Sequence, residues 1–399
     1  MGRRPSRKDP KYREHKTGQA VVRIAGRDYY LGKHDSDESR EEYHRLLAEW
    51  RSSGSSRAWT PRNRNGKRGA DELTIVQLIL LYLDDAEREY QKHGRETSEM
   101  HCIRSALRFV RELYSRSVAN LFGPVALGAC RDQMIDAGLA YSTVNAYVHR
   151  IRRMFRWGGE RQLIQPSVYG GLVTLRSLDK DSTRARVPDP VTVVPDDHVN
   201  ATLPYLCPQL RATVEVQRLT GMRPGEVVGL RRTELNTKRD EWEYRPKDHK
   251  TAHRGKKRVI IIGPRAQKIL RPYLHERLTR PLFSPREAEN ARNQLRREAR
   301  KSPMTPSQAR RRRKASPMRT PSDQYTVDSY RRAVARACDK AGVPRWTPNQ
   351  LRHNAATKIR AYGDLEYAQE VLGHESPNTT ETYAERSYEK ARKVMWEIG

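Results

Sequence analysis

The chain has 399 residues, enough for two or three domains, and 36% of them are hydrophobic. Lys and Arg number 78 against 48 Asp and Glu, a formal net charge of +30, which is the electrostatic footprint of a polyanion binder. Nucleic acid is the expected partner ahead of an anionic membrane surface, because no run of 18 apolar residues and no basic amphipathic anchor stands out.

Near the start, "MGRRPSRKDPKYREHKTG" lacks the apolar centre of a secretory signal and is not expected to be one. Residues 10–50 read as a small unit. Gly18 marks a turn, and "QAVVRIAGRDYYLG" reads as strand, Ala-Gly-Arg-Asp turn, strand. "DSDESREEYHRLLAEW" is the helix after it, with Tyr43, Leu46, Leu47 and Trp50 at helical spacing. One small sheet and one helix hold too little core to be very stable alone. The Ser-, Gly-, Arg- and Pro-rich "RSSGSSRAWTPRNRNGKRG" then reads as a flexible linker.

From about 72 to 175 the periodicity is helical. Thr74 is placed as an N-cap, and Gly138 as the stop of a helix. In "YSTVNAYVHRIRRMFRWGGE", Val144, Tyr147, Val148, Ile151, Met154 and Phe155 line one side, and Arg150, Arg152, Arg153 and Arg156 are read as a basic other side. That side is either solvated or set against a phosphate backbone. A polar, Pro-rich boundary follows near 185. Beyond it, "DEWEYRPKDHKTAHRGKKRVIIIG" carries two or three strands. The basic stretch 284–324 begins as a helix and ends in "ARRRRKASPMRTPS", read as disordered; it is either a DNA contact or a charged insertion. The cysteines Cys102, Cys130, Cys207 and Cys338 are scattered with no CxxC pair, so they read as reduced core thiols of a cytoplasmic protein and no zinc site is expected.

Three stretches carry candidate chemistry. "LTGMRPGEVVGL" sets Arg223 beside a helix start, with Glu226 in the first turn where it is able to orient Arg223. "TPNQLRHNAATKIRAYG" offers Arg352 and His353, and "LGHESPNTTETYAE" offers His374 and Tyr383, nine residues apart. Phosphoryl transfer needs this set. Arginines meet the charge that grows on the nonbridging oxygens. Tyrosine attacks phosphorus once nearby cations favour its phenolate. A lysine, here Lys250, protonates the departing oxygen. Taken singly, each residue has a bland reading, as a structural arginine, a core tyrosine or a solvated lysine. Their joint occurrence in this order does not.

The four boxes together resemble the tyrosine recombinases of the phage-integrase family, most strongly over 205–395. "TGMRPGEVVGL" matches the first-arginine box (Arg223), "HKTAHRGKKRVIII" the lysine hairpin (Lys250), "LRHNAATKI" the second-arginine box (Arg352) and "VLGHESPNTTETY" the terminal box (His374, Tyr383). One position departs from the family pattern: Asn349 stands where the family has a histidine, and Asn binds phosphate without exchanging a proton near neutral pH. His353 is its candidate substitute, at a place that is structural in the family.

The resemblance implies a multidomain, mainly α fold. Residues 1–52 would be an arm-type DNA-binding domain of small sheet plus helix, and 53–71 a linker. Residues 72–180 would be an all-helical (SAM-like) core-binding domain, and 181–399 an α+β catalytic domain with a small antiparallel sheet. It implies cleavage and rejoining of double-stranded DNA through a 3′-phosphotyrosyl bond, without metal, ATP or other cofactor. Asn349 and His374 would help to bind the phosphate. Lys256 and Lys257 join the four helix arginines as expected DNA contacts. The partners implied are core-type DNA, arm-type DNA through the N-terminal unit, four protomers in a tetramer, and accessory directionality or DNA-bending proteins. The place implied is cytoplasmic and nucleoid-associated, with no membrane. The N-terminal unit favours an integrase of a mobile element over a chromosome-dimer resolvase or a type IB topoisomerase. The rival from another class is a DNA-binding protein without catalysis, favoured only by Asn349.

Overall fold

A computed structural model describes residues 9–52, 72–92, 94–247, 258–274, 278–310, 320–363 and 365–373. They fall into two compact units, one ending at Asp189 and the other beginning at Pro190. Helices dominate, with three small antiparallel sheets among the described residues.

The first unit opens with an antiparallel meander, β1 (Tyr12–Glu14), β2 (Gln19–Ile24) and β3 (Arg27–Lys33). Ala20, Val22 and Ile24 alternate inward on β2, the period-2 signature of a half-buried strand. Ala25 and Gly26 both have positive φ (53° and 85°), the geometry that lets a two-residue turn follow the right-handed twist of the strands. Helix α1 (Asp37–Ser52) lays Leu46, Leu47 and Trp50 on this sheet.

So small a core gains a second partner. The other side of α1 packs on the helical bundle that follows. Arg45 is buried between Glu42 and Glu49, and Tyr114 of the bundle donates to Glu49 Oε1 at 3.2 Å. At the rim Ser115 donates to Glu41 at 2.7 Å, and Arg116 meets Glu38 at 2.9 Å.

The bundle comprises α2 (Ile75–Glu89), α3 (Ser98–Tyr114), α4 (Pro124–Asp136), α5 (Tyr141–Glu160) and α6 (Pro166–Val173). Thr74 caps α2 in a reciprocal box with Gln77, and Gly138 (φ 76°) follows the end of α4, as the sequence predicts. The bundle is not purely helical: β4 (Gln91–Lys92) and β5 (Arg95–Glu96) form a short hairpin between α2 and α3. Its core includes Leu78, Ile103, Val110, Val144 and Ile151, with Phe122 stacked on Phe155 at 4.7 Å.

The expected basic side of α5 is corrected by the structure. Arg152 is 9% exposed and spends its guanidinium on the Leu175 carbonyl. Arg150 and Arg153 share one carboxylate, Glu99, at 2.6 and 2.7 Å. Arg156 is the outward member, paired with Glu160 across one turn. Burial alone would raise the Glu99 pKa, but hydrogen bonds from Arg150 and Arg153 outweigh it and hold the carboxyl below its usual value.

The second unit contains α7 (Asp196–Thr202), α8 (Pro208–Thr220), α9 (Pro224–Gly229) and a sheet of β6 (Leu235–Asn236), β7 (Trp242–Tyr244) and β8 (Ile260–Ile262). The order is β6-β7-β8, antiparallel throughout. Ile260 and Ile262 point inward while Ile261 is exposed, so the run "III" is a half-buried strand. There follow α10 (Pro264–Leu270), α11 (Pro285–Glu298), α12 (Pro306–Arg310), α13 (Val327–Ala341), α14 (Pro348–Tyr362) and α15 (Leu365–Leu372). Helix α11 is the predicted helical start of the basic stretch; most of the part read as disordered (311–319) lies outside the described residues. The core gathers Val214, Met222, Trp242, Tyr244, Tyr330, Trp346 and Leu351. The cysteines are all free thiols, with Cys130 and Cys338 buried and Cys102 and Cys207 only partly so. No helix among the described residues is long and apolar enough to cross a membrane.

Candidate active site

Arg223 and Arg352 lie 129 positions apart in sequence, yet one turn holds both. Helix α8 ends at Gly221, whose φ of +65° is left-handed. A Cβ there would stand 2.8 Å from Leu372 Cδ2 and 3.1 Å from Ala355 Cβ, so α14 and α15 press directly on this turn. The Gly221 carbonyl accepts from Arg352 Nη1 at 2.8 Å, and the Leu372 carbonyl accepts from Nη2 at 2.7 Å. Arg352 is fully buried. Its charge is met by backbone dipoles, including the last carbonyl of α15, where a cation is favoured.

Two residues after Gly221, Arg223 caps the start of α9. Glu226 grips it at two points: Oε2 accepts from the Arg223 backbone N–H at 2.8 Å, and Oε1 accepts from Nη1 at 2.9 Å. Glu226 is 3% exposed while the Arg223 side chain keeps 25% of its surface in solvent. A buried carboxylate thus fixes a half-exposed guanidinium, an arrangement pre-organised for an anion arriving from outside. Because α9 has only six residues, its dipole is the lesser attraction, and the guanidinium supplies most of the field.

Two buried side chains that the sequence reading did not single out lock this geometry. Gln217 Nε2 donates to the Met222 carbonyl at 3.1 Å and to the Pro348 carbonyl at 2.9 Å, and Tyr330 donates to Gln217 Oε1 at 2.9 Å. Asn354 pairs with both backbone groups of Val194, accepting from its N–H at 2.9 Å and donating to its carbonyl. A polar Gln on the apolar side of α8, four residues before Gly221, was the available signal. Arg258, just before β8, is also buried, with Nη1 donating to the Val371 carbonyl at 3.2 Å and Nε 3.7 Å from Glu226 Oε1.

The structure therefore brings Arg223, Glu226 and Arg352 together. Asn349 is the second residue of α14 and half-buried, and His353 is buried in the same helix. Lys250, Lys256, Lys257, His374 and Tyr383 lie outside the described residues, which end at Gly373.

The phage integrase family model matches residues 196–390, nearly all of the second unit. The tyrosine recombinase XerC of Bifidobacterium longum subsp. infantis is 29% identical over 185 residues, 45% of this chain and 44% of that protein. The match thus spans less than half the length of that relative. A lambda integrase dimer bound to a COC′ core site shares the fold, at a TM-score of 0.54 and 14% identity over 96% of this chain and 97% of that one. So does a lambda integrase tetramer bound to a Holliday junction, at 0.52 and 16% identity over 97% and 99%.

Proposed function

We propose that this chain is a tyrosine recombinase of the phage integrase family, a site-specific DNA recombinase serving the integration or excision of a mobile element. The observation that carries the reading is the convergence of Arg223, held by Glu226, and Arg352, held by the Gly221 and Leu372 carbonyls, around the Gly221 turn.

In this reading, Arg223 and Arg352 meet the charge that develops on the scissile phosphate, with Asn349 and His374 as further donors. The Tyr383 hydroxyl attacks phosphorus. Its oxygen forms the 3′-phosphotyrosyl bond as the bond to the 5′ oxygen breaks, and Lys250 delivers a proton to that oxygen. The released 5′-hydroxyl of one strand then attacks the phosphotyrosine of its partner strand. The diester's energy is kept in the covalent link, so no nucleotide is consumed.

The proposed division is an arm-type module over 1–52, a linker, a core-binding domain over 72–180 and a catalytic domain from 181. Four protomers would work together on two DNA sites, as the tetrameric lambda integrase neighbour is bound to a Holliday junction. Arg156, the outward arginine of α5, is the strongest of the four proposed helix contacts. Lys256 and Lys257 follow Lys250 by six and seven positions in sequence.

Selection of duplexes from a random library, with the full chain and with a chain lacking residues 1–52, tests the reading. Two classes of site for the full chain and one for the shortened chain support a mobile-element integrase. A single class for both supports a chromosomal recombinase. A selected core duplex nicked beside the cleavage point must then give a slow protein–DNA band on a denaturing gel. Binding without such a band would leave a DNA-binding protein in place of an enzyme.

A further inference from the structure

We propose that Arg258 is a positioning residue of this site, holding Glu226 and the turn before His374 in one arrangement. The proposal rests on the recombinase reading above and adds a residue to it.

Arg258 is buried to an unusual degree for its type, with 6% of its side chain exposed. A methionine or leucine would fill such a place at no desolvation cost; a guanidinium does not. Burial pushes its pKa down, and the like charge of Arg223 adds to this, while Glu226 opposes both. Among the described residues its Nε and Nη2 find no hydrogen-bond partner, so the side chain is not satisfied as a core residue would be.

What it touches explains its place. Nε faces Glu226 Oε1 at 3.7 Å, on the same oxygen that receives Arg223 Nη1 at 2.9 Å. Nη1 donates to the Val371 carbonyl at 3.2 Å, and the next carbonyl, of Leu372, is the one taken by Arg352. Two arginines from different boxes thus cap the last two carbonyls of α15, directly before the turn into His374. Gly373, which makes that turn at φ +62°, lies so close that a Cβ would overlap Arg258 Nη1 and come within 3.1 Å of Cζ. Glycine is needed there both for the backbone and for Arg258 to pass. In sequence, Arg258 follows Lys250 by eight positions. One side chain therefore joins the first-arginine box to the terminal box from the segment that carries the lysine.

The test compares the full chain with Arg258→Met and Arg258→Lys, each bound at saturation to a nicked core duplex and followed through one turnover. A second duplex carries a methylphosphonate at the scissile position, which removes the oxygen charge that the arginines serve. The expected result for Arg258→Met is DNA affinity within about twofold of the parent and cleavage slower by about 10- to 100-fold, the usual loss when a supporting partner of a reacting group is removed. The gap should narrow on the methylphosphonate. Arg258→Lys should recover part of the rate, since it restores the charge without the planar fork. Equal rates, or a gap of the same size on both duplexes, would overturn the assignment, as a merely structural residue ignores the charge on phosphorus. Should Arg258→Met fail to fold, Arg258→Lys decides by the same two duplexes. If the parent chain itself forms no adduct, the recombinase reading fails and takes this assignment with it. If the parent cleaves and the variants match it, only the Arg258 assignment falls.

Discussion

Replacing Gly221 by alanine strikes the point where the two arginine boxes meet. The native φ of +65° is left-handed, which costs an alanine about 1–2 kcal/mol. The new Cβ would lie 2.8 Å from Leu372 Cδ2 and 3.1 Å from Ala355 Cβ. The second neighbour is fixed to its helix and cannot rotate away. The first is fully buried, so it moves only by disturbing α15. Overpacking of this kind costs about 1–3 kcal/mol. Together the two come to about 2–5 kcal/mol, and for a unit of this size they should lower the melting temperature of the second unit by roughly 4–20 °C. Because Gly221 and Leu372 supply two carbonyls that hold Arg352, cleavage should fall even at temperatures where the variant is folded. Differential scanning calorimetry of the full chain reads the first effect, with Gly170→Ala as control. Gly170 is exposed in α6 with open space around its Cβ, so alanine there should be neutral or stabilising by up to about 1 kcal/mol. A Gly221→Ala protein that melts within about 0.5 kcal/mol of the parent would refute the packing argument.

Two further outcomes follow from buried polar contacts. Asn354→Ala should destabilise the second unit by about 2–4 kcal/mol, since it orphans both the N–H and the carbonyl of Val194; chemical denaturation with a loss below about 1 kcal/mol would contradict this. The Glu99 carboxyl is held below its usual range in the folded chain by hydrogen bonds from Arg150 and Arg153 that outweigh its burial, so this pairing stabilises above the unfolded value and is lost as pH falls through the folded one. The melting difference between the parent and Glu99→Gln should therefore be full at pH 7 and shrink below about pH 4; a difference that does not change with pH would remove Glu99 as the cause.

What was legible in the sequence was what depends on short spacing. The β2–β3 hairpin, the Thr74 cap and the Gly138 stop are local features that the residues mark, although the hairpin turn is the tighter Ala25–Gly26 pair inside the expected Ala-Gly-Arg-Asp turn, and β1 was not expected. The two arginine boxes were legible for the same reason, since Gly221 to Glu226 and Pro348 to His353 are single turns with strong local grammar. Contacts across the fold were not. Arg150 and Arg152 look alike in sequence, but at 3.6 residues per turn they point about 200° apart, so one reaches Glu99 and the other enters the core. Arg258 looked like one more charge in a basic segment. Nothing local says that Glu226 and the end of α15 would close around it. Gln217 shows in the sequence only as a polar residue on the apolar side of α8, and Asn354 not at all, because each reaches a backbone group 131 or 160 positions away.

The claim that Tyr383 is the nucleophile is tested most directly by locating the covalent bond. The full chain would be trapped on a nicked core duplex in the presence of a chelator, digested with nuclease and trypsin, and the nucleotide-bearing peptide sequenced by tandem mass spectrometry. The tryptic peptide that ends at Arg386 contains Tyr362, Tyr367 and Tyr383, so fragmentation must choose among them. The expected result is a 3′-phosphonucleotide on Tyr383 and none in Tyr383→Phe. Modification at Tyr362 or Tyr367, attachment through a 5′ phosphate, or an adduct that survives Tyr383→Phe would contradict it.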